Sequence, residues 1–392
     1  MTASCIQAPA TPGLRGSWIA TAAEFAQLER EWCDLFTRAN CENTFITFAW
    51  MSTWWKHFGI GQLAIVAVRE AGGRLVGLAP FYIAHTRAAL GARRLGFLAD
   101  NHVGSDYLDI LADPNFGQAA VETIVRILRR HQRRWDYIEL RDAADSPLLA
   151  SLSSQLENGG MQSDRVPGQL CYYIPLPSAF EQYLSGIGIG LRANFRRRWR
   201  NLQREHQGEC VALSRADELE QYFPSLIALH RMRFQQRELE SAFLAPGVPE
   251  FHVDAMRSLA AQGVARMFVL RGAGEDLAAI YGFASGKTFQ FFQCGMHTEW
   301  MRHGVGQVLI GKAIEQAIGA GCTVFYFLRG GESYKAQWAD HSRQTTTWRF
   351  FDNRRGSLAA RLSLQATAAA RRIARNARTR LREWRHGAKT EA

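Results

Sequence analysis

Residues 266–328 read RMFVLRGAGEDLAAIYGFASGKTFQFFQCGMHTEWMRHGVGQVLIGKAIEQAIGAGCTVFYFL. Two apolar runs, Arg266–Arg271 and Leu277–Ser285, flank the turn residues Gly272–Asp276, which predicts a β-hairpin. Thr288–Gly295 predicts a further strand. Gly304–Ala320 predicts a helix buried on its Val308, Leu309, Ala313, Ile314 and Ala317 side, and Thr323–Leu328 a closing strand. The same order occurs earlier. Leu63–Arg69 and Arg74–Ala84 predict a hairpin about Ala71, Gly72 and Gly73; Tyr107–Leu111 predicts a strand, Gln118–Gln132 an amphipathic helix and Tyr137–Leu140 a strand. Repetition at a spacing of roughly 200 residues predicts a duplicated domain rather than a solenoid. The class is α/β with mixed sheets.

Outside these units, Trp18–Arg38 shows helical spacing of Phe25, Leu28, Trp32, Leu35 and Phe36, and leads into the aromatic segment Phe45–Phe58. Between the copies, Phe180–Glu205 is helix-like and carries Arg192, Arg196, Arg197, Arg198, Arg200 and Arg204; Tyr222–Arg237 follows. Such a run is either a solvated helix face or a surface turned to phosphate or acceptor. The expected division is a disordered N-terminus (1–17), a first domain (18–175), a second domain (176–351) and a basic helical tail (352–392).

Hydrophobic residues at 47% and charged residues at 21% suffice for two packed cores, which excludes global disorder. The seven cysteines form no CxxC or Cys/His pattern, so neither a disulfide framework nor a metal site is expected. With no signal-peptide organisation and no apolar run of about 18 residues, the expectation is a cytoplasmic protein. Of the net charge of +11, the segment 352–392, with eleven Arg or Lys against three acids, supplies +8. The body is nearly neutral, and no specific nucleic-acid binding is expected of it. In the tail, Leu358, Leu362, Leu364, Ala368, Ile373, Ala377 and Leu381 alternate with arginines. That pattern suits peripheral contact with an anionic membrane, such as an inner membrane, or an acidic partner, and equally a solubilising extension.

The segment Arg302-His303-Gly304-Val305-Gly306-Gln307 lies after a predicted strand and opens a helix. Glycines there admit an anion to the backbone, and the free N–H groups of a first helical turn hold a pyrophosphate. A plain turn is the alternative. After the next strand comes Arg329-Gly330-Gly331-Glu332-Ser333-Tyr334-Lys335, which places ionisable side chains at the carboxyl edge of a sheet. Tyr334 suits proton donation to a leaving thiolate and Glu332 proton removal from an amine; a capped loop with a solvated Lys335 is the bland reading. Cys294 has no His and carboxylate partners by spacing and reads as packing rather than as a nucleophile.

These two motifs, in this order, resemble the pyrophosphate loop and post-strand tyrosine of the GNAT acyltransferases. More narrowly, Leu328–Lys335, with Leu229-His230-Arg231-Met232-Arg233-Phe234 and Asp106-Tyr107-Leu108-Asp109, resembles the CelD-like acetyltransferases linked to cellulose and exopolysaccharide synthesis. The resemblance implies a tandem GNAT fold, like that of the Fem-type transferases, with acetyl-CoA or another acyl-CoA as co-substrate in the second copy. It implies a small-molecule or sugar acceptor carrying an amine or hydroxyl, and opens a polysaccharide-synthesis complex as a partner. Where the family has Gln or Arg three residues before the first glycine, this chain has Met301, so that Arg302 is the nearest basic residue. The first copy has only Asn115-Phe116-Gly117 before its helix, and is expected to bind no CoA.

Acyl transfer needs a polarised thioester carbonyl and a proton for the leaving thiolate. The expected acyl-donor residues are Gln293, Cys294 and Gly295, through backbone N–H groups on the carbonyl, and Arg302, Val305, Gly306 and Gln307 about the pyrophosphate. Tyr334 is the expected acid. Glu332, Glu299, His297 or water is the base, and Asp106, Tyr107, His230, Arg233 and Lys335 are expected to face the acceptor. Two other classes share the fold: a Fem-type transferase using aminoacyl-tRNA, and a non-catalytic component of a polysaccharide-synthesis complex.

Overall fold

The computed structural model describes residues 13–370 and Arg372. The first copy runs β1 (Arg15–Ile19), α1 (Ala22–Gln27), α2 (Glu29–Arg38), α3 (Phe48–Phe58), β2 (Gln62–Leu63), β3 (Ile65–Arg69), β4 (Leu75–Ala79), β5 (Phe81–Thr86), β6 (Ala92–Phe97), β7 (Leu111–Ala112), α4 (Gly117–Arg130), β8 (Tyr137–Ala143), α5 (Pro147–Asn158) and β9 (Gln162–Pro175). The second runs α6 (Phe180–Gly186), α7 (Ile189–His206), β10 (Glu209–Leu213), α8 (Ala216–Gln235), α9 (Val248–Ala261), β11 (Ala265–Gly272), β12 (Glu275–Ser285), β13 (Thr288–Met296), α10 (Val305–Gly319), β14 (Val324–Arg329), α11 (Lys335–Trp338) and β15 (His341–Phe351).

Several elements differ from expectation. The runs Leu63–Arg69 and Arg74–Ala84 each split between two sheets, β3 and β4 pairing in a four-stranded sheet (β1-β3-β4-β7) and β2 and β5 in the larger one. Pro80, which has no N–H to donate, stands at the break between β4 and β5. Trp18 lies in a strand, opposite Val66 of β3, because the helix begins only after Thr21, whose hydroxyl and N–H form a capping box with Glu24. Strand β1 thus takes Arg15, Gly16 and Ser17 out of the segment expected to be disordered. The strand that precedes α4 as a repeat partner is β6, not Tyr107–Leu111. The alternation of β6 is hidden in sequence by Arg93 and Arg94, whose charges are held by Asp136 and Asp100. Between β6 and β7 the chain loops through positive φ at Ala99, His102, Gly104 and Tyr107.

Duplication is written into the sheet. Eleven strands run in the order β10-β11-β12-β13-β14-β9-β15-β8-β6-β5-β2. Pairs β13–β14 and β6–β8 are parallel, and β14–β9, β9–β15 and β15–β8 are antiparallel. Read from its centre outward, this part of the sheet is a palindrome. Each copy's last strand lies against the other copy: β9 is hydrogen-bonded to β14, and β15 to β8. The copies also share a core, where Phe45 meets Phe283 at 5.9 Å and Trp50 meets Phe251 at 4.9 Å between ring centroids. Burying aromatic faces of this size across the junction fixes the copies together.

Residues 355–370 of the tail are helical. Ala360 and Leu364 pack with Ala89, Tyr137 and Phe351 of the body, while Leu358 and Leu362 stay exposed. Residue 371 and residues 373–392, which carry most of the tail's charge, lie outside the described residues, as does Cys5. No helix among the described residues is long and apolar enough to cross a membrane.

Candidate active site

Strands β13 and β14 pair only at Thr288–Gln290 with Val324–Tyr326 and then diverge. From Phe291 onward one edge of β13 has no strand beside it among the described residues, while its other edge stays bonded to β12 through Tyr281–Gln293, Ile280–Cys294 and Ala279–Gly295. A bulge at Tyr281/Gly282 leaves Phe292 without a partner across the ladder. The V so formed holds a cleft of about 250 Å³ lined by Cys294, Gly295 and Met296 of β13, Gly304, Gly306, Gln307 and Ile310 at the start of α10, Tyr334 and Trp338 after β14, and Arg198, Arg233 and Arg237 from α7 and α8 and the residues just after α8.

At its outer end Gly304 caps α10 with φ 71° and ψ 31°, a conformation that glycine adopts without penalty. A Cβ on Gly304 would collide with the Arg198 side chain, and one on Gly306 would stand 2.7 Å from Met296 Cε. Arg198 and Met296 therefore approach this backbone as closely as they do because Gly304 and Gly306 lack a side chain. Arg198 closes over this turn and donates to Gln307 Oε1. Free first-turn amides, the positive end of the helix dipole and an overlying guanidinium form a cradle for a phosphate or diphosphate. These residues fit the pyrophosphate of a coenzyme A thioester.

The inner end is chemically different. Arg233 is 6% exposed and donates from Nη1 to the Cys294 carbonyl at 3.2 Å and to its Sγ. Its guanidinium lies 5.7 Å from the Tyr334 ring centroid. Burial, together with the Cys294 thiol, drives the Tyr334 phenol well above the usual tyrosine range, although Arg233 opposes it. Tyr334 therefore holds its proton at neutral pH, as a proton donor must. Glu332 is half-buried and ion-paired with Lys335 at 3.0 Å. Burial acts to raise its pKa, but the ammonium of Lys335 and the charge of Arg233 prevail and hold it below the ordinary range. Lys335 is 3% exposed and also donates to the Arg329 carbonyl at 2.6 Å. It staples the loop after β14 and is not the solvated lysine that residue type suggests.

Of the expected residues, the fold brings Cys294, Gly295, Gly306, Gln307, Arg233 and Tyr334 into one cleft. Val305 is fully buried and stands outside the lining. Gln293 stands one residue before the lining, its side chain held by His230 at 3.1 Å. His230 does not face the cleft: it is buried, its other ring nitrogen meets Ser241 at 2.8 Å, and burial lowers its pKa to about 4. Glu299 and Arg302 are exposed on the turn 298–303, outside the cleft lining, with Arg302 turned to His303. His297 likewise stands outside the lining.

Asp106, fully buried, accepts from the Arg329 N–H at 2.8 Å and pairs with its guanidinium. It is a clamp between copies rather than an acceptor contact. Tyr107 lines a separate cavity of about 750 Å³ between the copies, with Glu42, Asp109, Gln290, Tyr326 and Arg343. Arg198 and Arg237 were not singled out by sequence; the arginine run held the signal for the first, since of its six members Arg198 alone reaches the cleft.

The first copy has the same splay. Strands β6 and β8 pair only at Arg94–Leu95 with Tyr137–Ile138. Here the opening is filled: Arg94 and Asp100 are ion-paired and buried, with the Tyr82 hydroxyl donating to Asp100 at 3.1 Å.

Residues 190–336 match the family model of the acetyltransferase (GNAT) domain. No curated protein matches the chain in sequence. Among solved structures, FemX is similar over 81% of this chain and 95% of its own, at 8% identity and a TM-score of 0.59. The C-terminal domain of a proposed lysylphosphatidylglycerol synthetase from Agrobacterium fabrum is similar over 88% and 96%, at 11% identity and a TM-score of 0.52. A conserved protein of unknown function from Bacteroides thetaiotaomicron is similar over 86% and 100%, at 8% identity and a TM-score of 0.53. Residues 190–336 are thus similar to GNAT acetyltransferase domains, and the chain as a whole has a duplicated mixed α/β fold like that of FemX.

Proposed function

We propose that the chain is an acyltransferase that takes an acyl group from acyl-CoA in the β13–β14 cleft and passes it to an amine or hydroxyl of a small molecule or sugar. The observation that carries this reading is the open V that ends on the Gly304–Gln307 turn beneath Arg198, while the equivalent V of the first copy is filled by Arg94 and Asp100. The amides of Gly306 and Gln307, with Arg198, hold the pyrophosphate. The unpaired edge of β13 at Gln293–Gly295 offers backbone N–H groups to the thioester carbonyl.

The acceptor's nucleophile adds to that carbonyl; as the C–S bond breaks the thiolate takes its proton from Tyr334, and the proton that the acceptor nitrogen or oxygen sheds passes, directly or through water, back to the Tyr334 phenolate. Because Glu332 is committed to Lys335 and held below its usual pKa, it is a weak base, and an acceptor that arrives as the free amine, or a water relay, suits the site better. The sequence resemblance to CelD-like acetyltransferases supports a sugar on a route to an exopolysaccharide as the acceptor, and the basic run beyond 370 supports contact with an anionic membrane surface.

The test is release of free CoA thiol from acetyl-CoA in the presence of a panel of amino sugars, amino acids and polyamines, with the acylated product identified by mass spectrometry. Acylation of a panel member is the expected result. A protein that binds CoA but transfers to none of the panel and releases no thiol above the uncatalysed rate would contradict the catalytic reading.

A further inference from the structure

Arg233 is the most deeply buried of the three arginines that line the cleft; the Cys294 sulfur, the Tyr334 phenol and, at longer range, Glu332 favour its charge against burial. Arg233 is 6% exposed, yet no carboxylate of the described residues lies within ion-pairing distance, and its Nε is buried without a hydrogen-bond partner. Its partners are the carbonyl and sulfur of Cys294 and the ring and hydroxyl of Tyr334, none of them a carboxylate. The nearby acids are engaged elsewhere: Glu332 by Lys335 at 3.0 Å, and Asp106 by Arg329 at 2.8 Å.

A guanidinium withdrawn from water without a counter-ion is strongly unfavourable, and persists where an anion completes it. The pyrophosphate cradle has its own guanidinium, Arg198, which donates to Gln307. The cradle is built at the helix end from Gly304, Gly306 and Arg198, whereas Arg233 bonds to β13 beside Tyr334, where the acyl carbon would lie. Its planar fork matches a carboxylate through two parallel hydrogen bonds.

We infer that the substrate entering the inner end of this cleft carries a carboxylate, which Arg233 receives. The inference rests on the acyl-CoA reading of the cleft. The carboxylate is either the far end of a dicarboxylic acyl group or part of the acceptor, as in an α-amino acid, and the two sources are separable.

Binding of CoA, butyryl-CoA and succinyl-CoA is measured by calorimetry on the full chain and on Arg233→Met, a long apolar replacement whose folding is checked by thermal melting. If the acyl group bears the charge, succinyl-CoA binds the wild type about tenfold more tightly than butyryl-CoA, and the preference disappears in the variant. If the acceptor bears it, the acyl-CoA affinities are alike, but the CoA-loaded protein binds glycine and not glycinamide, again only with Arg233 present. Should Arg233→Met fail to fold, the wild-type pairs alone decide.

Equal affinities within both pairs, in a protein that does bind CoA, overturn the inference and leave the acyl-CoA reading standing. Failure of CoA itself to bind removes that reading first. Rapid alkylation of Cys294 by iodoacetamide below pH 7 would identify a resident thiolate as the counter-ion and overturn the inference as well.

Discussion

Tyr334 and Asp109 show how position, not residue type, sets a side chain's chemistry. Beside Arg233 and the buried Cys294, Tyr334 is held protonated. Tyr334→Phe keeps the ring and removes the proton, so turnover of acyl-CoA should fall by about 100-fold while the Kd for CoA, measured by calorimetry, moves less than about threefold. Turnover at the wild-type rate would remove Tyr334 from the chemistry.

Asp109 lines the cavity between the copies, and burial pushes its carboxyl up to about 7, against hydrogen bonds from Ser146 and the Ile110 N–H. The unfolded carboxyl titrates near 3.9. The folded state therefore binds the extra proton, and this contribution to stability is complete below about pH 4 and is lost as pH rises through 7. Between those limits the wild type should lose about 3 kcal/mol relative to Asp109→Asn, read from urea titrations at the two ends of the range. Parallel pH profiles for the two proteins would refute the assignment.

At the level of elements, the V and the turn that closes it carry the function. Gly304 has φ 71° and Arg198 lies where its Cβ would be. Gly304→Val combines a strained backbone with a displaced guanidinium, and should weaken CoA binding by about tenfold or more; unchanged affinity would show that the turn does not hold the diphosphate.

Much of this was legible in sequence, because strand, glycine pair and helix follow one another locally: Thr288–Gly295 and Gly304–Ala320 predict β13 and α10 to within a residue or two at each end. What was hidden depends on distant chain. Strand β6 carries Arg93 and Arg94, whose burial makes sense only with Asp136 and Asp100 in place. Lys335 and His230 look like site residues by type, and only the fold reveals their partners Glu332, Arg329, Ser241 and Gln293. Arg198 lies on a helix far from the motif in sequence, and spacing cannot single it out from five neighbouring arginines.

Across the whole molecule the two copies are one cooperative body. Strand β9 completes the sheet of the second copy and β15 that of the first, so neither half retains its last strand pairing alone. Urea unfolding followed by tryptophan fluorescence and by circular dichroism should give one coincident transition. Two resolved transitions would contradict the exchange of strands.

The exchange also fixes the division of labour, with one V open and one filled by an ion pair, so a single molecule should bind one CoA. Calorimetric titration of CoA into the wild type and into Arg198→Glu tests the central claim most directly. One site per chain, weakened by about a hundredfold when the charge at residue 198 is reversed, is the predicted result. No binding, or affinity indifferent to that reversal, would contradict it.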